Sequence, residues 1–365
     1  MVIVQNEPWV SFLQLAAVLR RRHVRVVYVG QTRSRDARVM ARLLFARAES
    51  LESFLQTGFA DPSIVDIQGR EHDLSDLAPL LDSSRTPPKL AEIIRHRLVS
   101  LDKYEMSCRL RAAGVPVPDT LDARLIDVDK AARQLGLPLV IKNRVGAGGD
   151  GVHVAATVAD ARAHLESCRL EDVYYERFCS GDTYQFAAAH DGPRVLQEAV
   201  YRSLRRGGHH GPAQGVETVS DPEIRRVGAA TVAAVGGRGL INLDVLLGPG
   251  GPQVVDVNLR AWDSLVPLRG AGVDFSQGYL QSLGLPVRID GRTVAESGRI
   301  IYPHARTALT AAPTRTKIGA AWQYLRSTWR YALWLGPRYV AHVVWLLAVE
   351  FRSRQKERRA QTNRS

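Results

Sequence analysis

The sequence has few cysteines, few lysines and no long apolar run, and each shortage excludes a class of protein. Its three cysteines lack paired spacing, which argues against a disulfide framework or a zinc site and fits a reducing cytoplasm. No run reaches the roughly 18 apolar residues of a spanning helix. The first residues also lack the pattern of a signal peptide. We therefore expect a cytoplasmic globular protein.

Positive charge is unevenly distributed along the chain. The formal net charge is +12, yet residues 306–365 hold 12 of the 49 basic residues and only 2 of the 37 acidic ones. The rest of the chain is close to neutral, which does not favour a nucleic-acid-binding body. Most basic residues are arginine, and the lysines are Lys89, Lys103, Lys130, Lys142, Lys317 and Lys356.

A glycine-rich stretch follows a predicted buried strand that ends in Lys142. The glycines are Gly146, Gly148, Gly149 and Gly151. Their spacing matches the dinucleotide fingerprint, but a strand pattern from Val152 stands where that fingerprint needs a helix, and the residues of a Walker loop are missing. A plain hairpin turn and a phosphate-covering loop remain. Lys142 favours the second, because a buried strand seldom carries a lysine without an anionic partner.

Two apolar strands joined at Gly248–Pro252 carry polar residues on one predicted face. The strand period of two places Asp256, Asn258 and Arg260 together, and Asp244 can face them across the turn. Carboxylate and amide oxygens suit Mg²⁺, and an arginine beside them complements charge on a transferred phosphoryl group. A solvated face with a salt bridge is the alternative, which the apolar surroundings disfavour.

Taken in order along the chain, these segments resemble the ATP-grasp superfamily. The likeness starts at Leu101-Asp-Lys103 and Ala113-Gly-Val-Pro-Val-Pro118, and it continues through Lys142 and its glycine loop. It goes on to Tyr174-Tyr-Glu-Arg-Phe-Cys-Ser-Gly-Asp182 and ends at the polar hairpin. The stretch from Asn258 to Phe275 is most similar to predicted carboxylate–amine ligases of that superfamily.

The resemblance implies an α/β fold of the α+β ATP-grasp kind, with two lobes that sandwich ATP. We expect a small N-terminal α/β domain, a first ATP-grasp lobe, a second lobe with the metal-binding hairpin, and a basic, tryptophan-rich helical extension. Their predicted bounds are 1–98, 99–180, 181–305 and 306–365.

The function implied is that of an ATP-dependent ligase, which activates a carboxylate as an acyl phosphate and joins it to an amine. Its partners would be small-molecule carboxylate and amine substrates. A carboxylase- or carbamoyl-phosphate-like enzyme stays open, because Asn242 stands where the amino-acid ligase branch often has arginine. A non-catalytic ATP-binding scaffold, attached to a membrane by its tail, also stays open.

The resemblance further implies a role for each matched residue. Arg260 and Lys142 would be catalytic, and Lys103 and Lys142 would bind the ATP phosphates beneath the glycine loop. The nucleoside would be bound at Glu176, Arg177, Phe178, Cys179 and Asp182. Two Mg²⁺ ions, with Mn²⁺ as an alternative, would be held by Asp244, Asp256 and Asn258.

This chain departs from the family pattern at two of those positions. The superfamily usually has glutamate where Asp256 stands, so a metal must lie nearer to the strand here. The acid that binds ribose commonly falls one place later, where this chain has Thr183.

The C-terminal extension has Trp322, Leu325 and Trp329 at helical spacing, with arginines off that stripe. Tryptophan, leucine and arginine together suit a helix in a membrane interface, over 315–359. Packing on the enzyme body, or on a second copy in a homodimer, is the alternative. We expect a cytoplasmic protein, with peripheral membrane contact if the first interpretation holds.

Overall fold

The computed structural model describes residues 1–4, 10–30, 47–57, 64–78, 86, 88–146, 149, 151–206, 213–301 and 337. Its N-terminal elements are β1 (Val2–Val4), α1 (Val10–Arg21), β2 (Val27–Val29), β3 (Arg47–Glu49), α2 (Leu51–Thr57), β4 (Ile67–Gly69), α3 (Glu71–Ser75) and α4 (Pro88–Val99). The four strands pair in parallel in the order β3-β2-β1-β4. The elements of this part of the chain have the predicted α/β character, and the domain bounds 1–98 stay a prediction.

Helix α1 is buried along one stripe because its apolar residues recur at helical spacing. Phe12, Leu15 and Leu19 are each at most 1% exposed. They share one core with Tyr28 of β2 and with Tyr279 of a helix near the end of the described chain. The N-terminal domain is therefore packed against the second lobe of the protein.

The next part of the chain forms a four-stranded antiparallel sheet with two helices packed on it. Its elements are α5 (Lys103–Ala112), β5 (Thr120–Asp122), α6 (Val128–Leu135), β6 (Leu139–Asn143), β7 (Val152–Ala155), α7 (Val158–Leu165) and β8 (Val173–Arg177). The strand order is β5-β8-β6-β7. Helices α5, α6 and α7 are capped at their N-termini by Asp102, Asp127 and Thr157, whose side chains accept backbone N–H groups of the first turn.

The second lobe is a six-stranded antiparallel sheet in the order β13-β12-β9-β10-β11-β14. In chain order its elements are β9 (Asp182–Asp191), β10 (Arg194–Arg206), β11 (Ala213–Val219), α8 (Pro222–Val235), β12 (Arg238–Gly248), β13 (Gly251–Asn258), α9 (Phe275–Ser282) and β14 (Ile300–Ile301). Helix α8 follows a capping Asp221, and proline occupies its first turn. The predicted hairpin is strands β12 and β13.

The two faces of this sheet have different neighbours, and this difference positions the polar hairpin. Ile241 and Leu243 of β12 pack in one core with Val227 of α8. Leu240 lies on the opposite face, in the core shared with Tyr279 of α9. Because side chains alternate along a strand, Asp244 shares the face of Leu240. It lies farther along β12, toward the first lobe.

Two predictions fall outside the described residues. They are Gly148, predicted as an ATP-binding residue of the glycine loop, and the helical extension 306–365, of which only Pro337 is described. Within the described ranges, no helix is both long and apolar enough to cross a membrane.

Candidate functional site

The hairpin of β12 and β13 places two carboxylates directly opposite each other. Asp244 pairs with Asp256, and Asn242 pairs with Asn258 on the same face. The register shifts just beyond the aspartates, where Val245 pairs with Val254. Like charges directly opposite in a sheet destabilise it. The arrangement therefore needs a cation beside the two aspartates.

Lys103 supplies one such cation. Its Nζ lies 2.9 Å from Oδ1 of Asp256, and both side chains are four-fifths buried. Burial alone would raise the pKa of the Asp256 carboxyl, but the ammonium groups of Lys103 and Lys142 outweigh burial and hold that pKa below its usual value. Burial likewise opposes the charge of Lys103, yet Asp256 keeps the pKa of the lysine raised. Both groups of this pair are therefore ionised at neutral pH.

Lys142, the second predicted phosphate ligand, forms a neighbouring ion pair. Its Nζ lies 2.6 Å from Oε1 of Glu176 on β8 and donates to the carbonyl of Val255 at 3.2 Å. Burial raises the pKa of the Glu176 carboxyl in spite of the lysine. Lys103, Tyr174, Glu176 and Asp256 line a pocket between the lobes. The structure thus brings Lys103 and Lys142 to the polar hairpin of β12 and β13, and it pairs Glu176 with Lys142.

Arg144 holds the start of α5 in place, and sequence reasoning missed it. Its guanidinium donates to Asp102 and Asp122 at 2.8 Å each and lies 4.6 Å from the centre of the Tyr104 ring. Its carbonyl accepts the backbone N–H of Lys103 at 2.8 Å. The residue is only 6% exposed. Arg144 therefore fixes the position of Lys103 from the edge of the glycine loop.

The glycine-rich stretch joins β6 to β7 as a hairpin loop. Lys142 pairs with Val152 in an antiparallel ladder, so the chain returns as a strand and the dinucleotide alternative is excluded. Gly149 and Gly151 have positive φ values of 83° and 77°. A Cβ on Gly151 would lie 2.2 Å from the Asn143 side chain, so a larger residue there would require Asn143 to move. Gly146, the first glycine of the stretch, is buried.

The predicted nucleoside-binding segment is the linker between β8 and β9. The Arg177 side chain is turned back to Asp119 of the first lobe, 3.1 Å away. Phe178 is 41% exposed and Cys179 is half-buried. A Cβ on Gly181 would lie 2.6 Å from the carbonyl oxygen of Leu247, so the linker touches the end of the hairpin.

Asp182, the proposed ribose ligand, opens β9 and is exposed. Its strand partner is Leu247 at the far end of β12, so it lies apart from the lysine and aspartate cluster. The structure therefore forms two groups from the predicted residues: a charged cluster at the hairpin and a linker segment beside it.

Arg260 is buried and held on three sides. It donates to Glu71 of α3 at 2.7 Å, to Oδ1 of Asn258 at 3.0 Å and to the carbonyl of Ala261 at 3.2 Å. Asn258 in turn donates its Nδ2 to Asp256 at 3.1 Å. Sequence reasoning missed Glu71, since no motif surrounds this acidic residue of the N-terminal domain. The catalytic role predicted for Arg260 stays a prediction.

The polar side chains of the hairpin form a small set of possible metal ligands. The described residues contain no group of three or more histidine, cysteine or acidic side chains able to hold a metal. Two facing carboxylates and one amide are a smaller set, and they fit Mg²⁺, which takes few protein ligands and completes its shell with water and phosphate. Asp244 also accepts a hydrogen bond from Gln185 at 3.0 Å, which orients its carboxylate. The residues present therefore fit a magnesium site of hard oxygen donors.

Comparison with known proteins places this site in a family context. Residues 100–263 match the ATP-grasp domain model. The carbamoyl phosphate synthase large chain of Clostridium perfringens is 23% identical over 141 residues, which cover 36% of this chain and 13% of that protein. D-Alanine–D-alanine ligase B of Chromobacterium violaceum is 30% identical over 111 residues, covering 29% of this chain and 34% of the ligase. The chain thus spans at most about a third of these two relatives.

Several solved structures have a similar fold, and one of them matches over most of both chains. It is the carboxyaminoimidazole ribonucleotide synthase of Aspergillus clavatus in complex with ATP, with a TM-score of 0.65 and 17% identity. The match covers 89% of this chain and 86% of that one. At this identity the likeness establishes the fold, and the predicted fold class is confirmed.

Proposed function

Residues 100–263 form an ATP-grasp domain, and from this we propose that the protein is an ATP-dependent ligase that joins a carboxylate to an amine. The observation that carries the proposal is the charged cluster at the hairpin. Lys103 and Asp256 meet in the pocket between the lobes, Lys142 pairs with Glu176 of the same pocket, and Asp244 faces Asp256 across the hairpin. Lysines and carboxylates so placed can receive a nucleotide with its divalent cation.

Each predicted residue has a role in this proposal. Lys103 and Lys142 bind the ATP phosphates, and the glycine loop covers them. Asp244, Asp256 and Asn258 hold Mg²⁺, two ions in the full site, or Mn²⁺ in their place. Bound there, the metal neutralises charge on the transferred phosphoryl group. The linker residues Arg177, Phe178, Cys179 and Asp182, together with Glu176, contact the nucleoside.

The reaction that follows is a two-step acyl transfer. A substrate carboxylate oxygen takes the γ-phosphoryl group of ATP, and ADP leaves. The amine then attacks the acyl carbon, inorganic phosphate leaves and the amine nitrogen loses a proton. Arg260 complements the negative charge of the acyl phosphate, and exclusion of water by the glycine loop protects that intermediate from hydrolysis.

A second candidate is the carboxylation of an amine, with bicarbonate as the activated carboxylate. The buried Asn242 favours it, because its Nδ2 donates to the hydroxyl of Tyr201 at 2.8 Å beside Asp244. This neutral pair occupies a place where an arginine could otherwise bind an amino-acid carboxylate. The name of the similar Aspergillus clavatus protein, carboxyaminoimidazole ribonucleotide synthase, is that of an enzyme whose product is a carboxylated amine.

ADP release with substrate pools tests both candidates. We expect the full-length protein with ATP and Mg²⁺ to release ADP only when both a carboxylate pool and an amine pool are present. Mass spectrometry should then find the joined product, one water lighter than its two substrates. Release with bicarbonate and the amine pool alone would identify the carboxylation reaction. If no pool stimulates release of ADP or phosphate, the protein is not a ligase.

For the C-terminal extension we propose peripheral membrane contact, on the strength of its tryptophan and arginine content. We expect the full chain to float with anionic vesicles and to lose flotation when residues 310–365 are deleted. Added salt should weaken the flotation, since part of the attraction is electrostatic. Unchanged flotation of the shortened chain would contradict the proposal. A dimer that dissociates on deletion, without any flotation of the full chain, would instead assign the extension to a second copy.

A further inference from the structure

Lys103 occupies the place at Asp256 where a metal ion would bind. Its ammonium lies 2.9 Å from Oδ1 of Asp256, the carboxylate that faces Asp244 across the hairpin. The pair is four-fifths buried, so separation of the two charges requires that each find another partner. The predicted phosphate ligand and the predicted metal ligand thus neutralise each other in this structure.

Asn258 is likewise held in an orientation that does not serve a metal. Its Nδ2 donates to Oδ2 of Asp256, and its Oδ1 accepts from Arg260, which Glu71 holds from the other side. The amide nitrogen is a donor and cannot ligate a cation. For Asn258 to offer its oxygen beside Asp256, the amide must turn and the bond between Nδ2 and Asp256 must break.

We propose that Lys103 is an internal counterion of Asp256, which a divalent cation displaces, and that the displaced ammonium moves to a nucleotide phosphate. This inference rests on the proposed function and adds a regulation of ligand binding. Binding of the metal favours binding of the nucleotide, and binding of the nucleotide favours binding of the metal. A metal that binds alone takes from Lys103 its ion-pair partner, Asp256. A nucleotide that binds alone must take Lys103 away from Asp256. When both bind, the metal ion pairs with Asp256 and Lys103 pairs with a nucleotide phosphate, so that each of these charges has a partner.

The second lysine does not form an ion pair with Asp256. Lys142 pairs with Glu176, which is on β8 and outside the hairpin, and its ammonium also donates to the carbonyl of Val255. Its removal leaves the Lys103–Asp256 pair in place. The two lysines, equivalent in sequence as phosphate ligands, are therefore expected to differ in their effect on metal binding.

Metal binding without nucleotide tests the proposal directly. We expect Lys103→Met to bind Mn²⁺ at least tenfold more tightly than the natural protein in electron paramagnetic resonance titrations of the nucleotide-free full chain. A tenfold gain corresponds to about 1.4 kcal/mol. Lys103→Arg keeps a positive charge and should stay near the natural value. Lys130→Met is the matched control, because Lys130 is exposed and pairs with Asp127 far from the hairpin.

Binding of ADP closes the thermodynamic cycle. In the natural protein Mn²⁺ should tighten ADP binding, and ADP should tighten Mn²⁺ binding by the same factor. In Lys103→Met that factor should fall at least tenfold. Lys103→Gln repeats the measurement if the methionine variant does not fold. If neither folded variant gains Mn²⁺ affinity, the counterion role is wrong, whether or not ADP binds. If the natural protein binds no ADP with Mn²⁺, the proposed function fails, and the nucleotide-free titration still decides the role of Lys103.

Discussion

Asp256→Asn should lower ADP release in the presence of both substrate pools by about a thousandfold, the upper range for loss of one preorganised electrostatic partner. Asparagine keeps the shape of the side chain and removes its charge. The change takes away the carboxylate that faces Asp244, and it leaves the buried ammonium of Lys103 without its anion. The loss should appear in the turnover number, measured at saturating ATP and Mg²⁺.

Asp191→Asn is the matched control for that change. Asp191 ends β9 of the same sheet, its side chain is 44% exposed, and it lies 3.6 Å from Arg194. Its turnover number should equal that of the natural protein, because exposed ion pairs contribute little and this one lies far along the strand from the hairpin cluster. Equal turnover by Asp256→Asn and Asp191→Asn would show that Asp256 has no part in the reaction. Similar unfolding curves for both variants are needed before the comparison is made.

The polar hairpin could be predicted because its information is local. Strand periodicity and the turn at Gly248–Pro252 place Asp256 and Asn258 on one face without any knowledge of the rest of the fold. The glycine stretch after Lys142 is equally local, since a strand, a run of glycines and a second strand define a hairpin loop. The antiparallel pairing of β6 with β7 agrees with that prediction.

The partners of these residues could not be predicted, because they come from distant parts of the chain. Glu71 meets Arg260 across 189 residues, and only the packing of the N-terminal domain on the second lobe brings them together. No sequence motif distinguishes Arg144 from the dozens of other arginines in this chain. The pairing of Lys103 with Asp256 also required the fold. The sequence predicts Lys103 and Asp256 as ligands of two different groups, whereas the structure shows them as one ion pair.

A buried charge network attaches the end of β13 to the N-terminal domain. Asp66 is 2% exposed and accepts from Arg97 at 2.7 Å, from Gln68 at 2.9 Å and from the hydroxyl of Tyr279. Arg97 also donates to the carbonyl of Leu259, the residue after β13. One carboxylate thus joins β4, α4 and α9 at the base of the polar hairpin of β12 and β13.

Asp66→Ala should therefore lower the free energy of unfolding by about 3–5 kcal/mol, the cost of removing one partner from a buried ion pair. The alanine variant leaves the guanidinium of Arg97 buried without its anion, and it removes the acceptor of Tyr279. Urea unfolding of the full chain, followed by tryptophan fluorescence, measures the change. Without Asp66, Arg97 is no longer fixed beside the carbonyl of Leu259, so nucleotide affinity should fall as well. Asp66 itself makes no contact with the two lysines or with the two aspartates of the hairpin.

Glu92→Ala separates the buried network from a general effect of lost charge. Glu92 is an exposed residue of α4, the helix that carries Arg97, and alanine suits a helix at least as well as glutamate. Its free energy of unfolding should stay within about 0.5 kcal/mol of the natural value, as for most surface substitutions. A loss below 1 kcal/mol in Asp66→Ala would mean that Arg97 finds another anion or water. In that case the hairpin would owe its position to the apolar core around Tyr279 alone, and nucleotide affinity should then be unchanged.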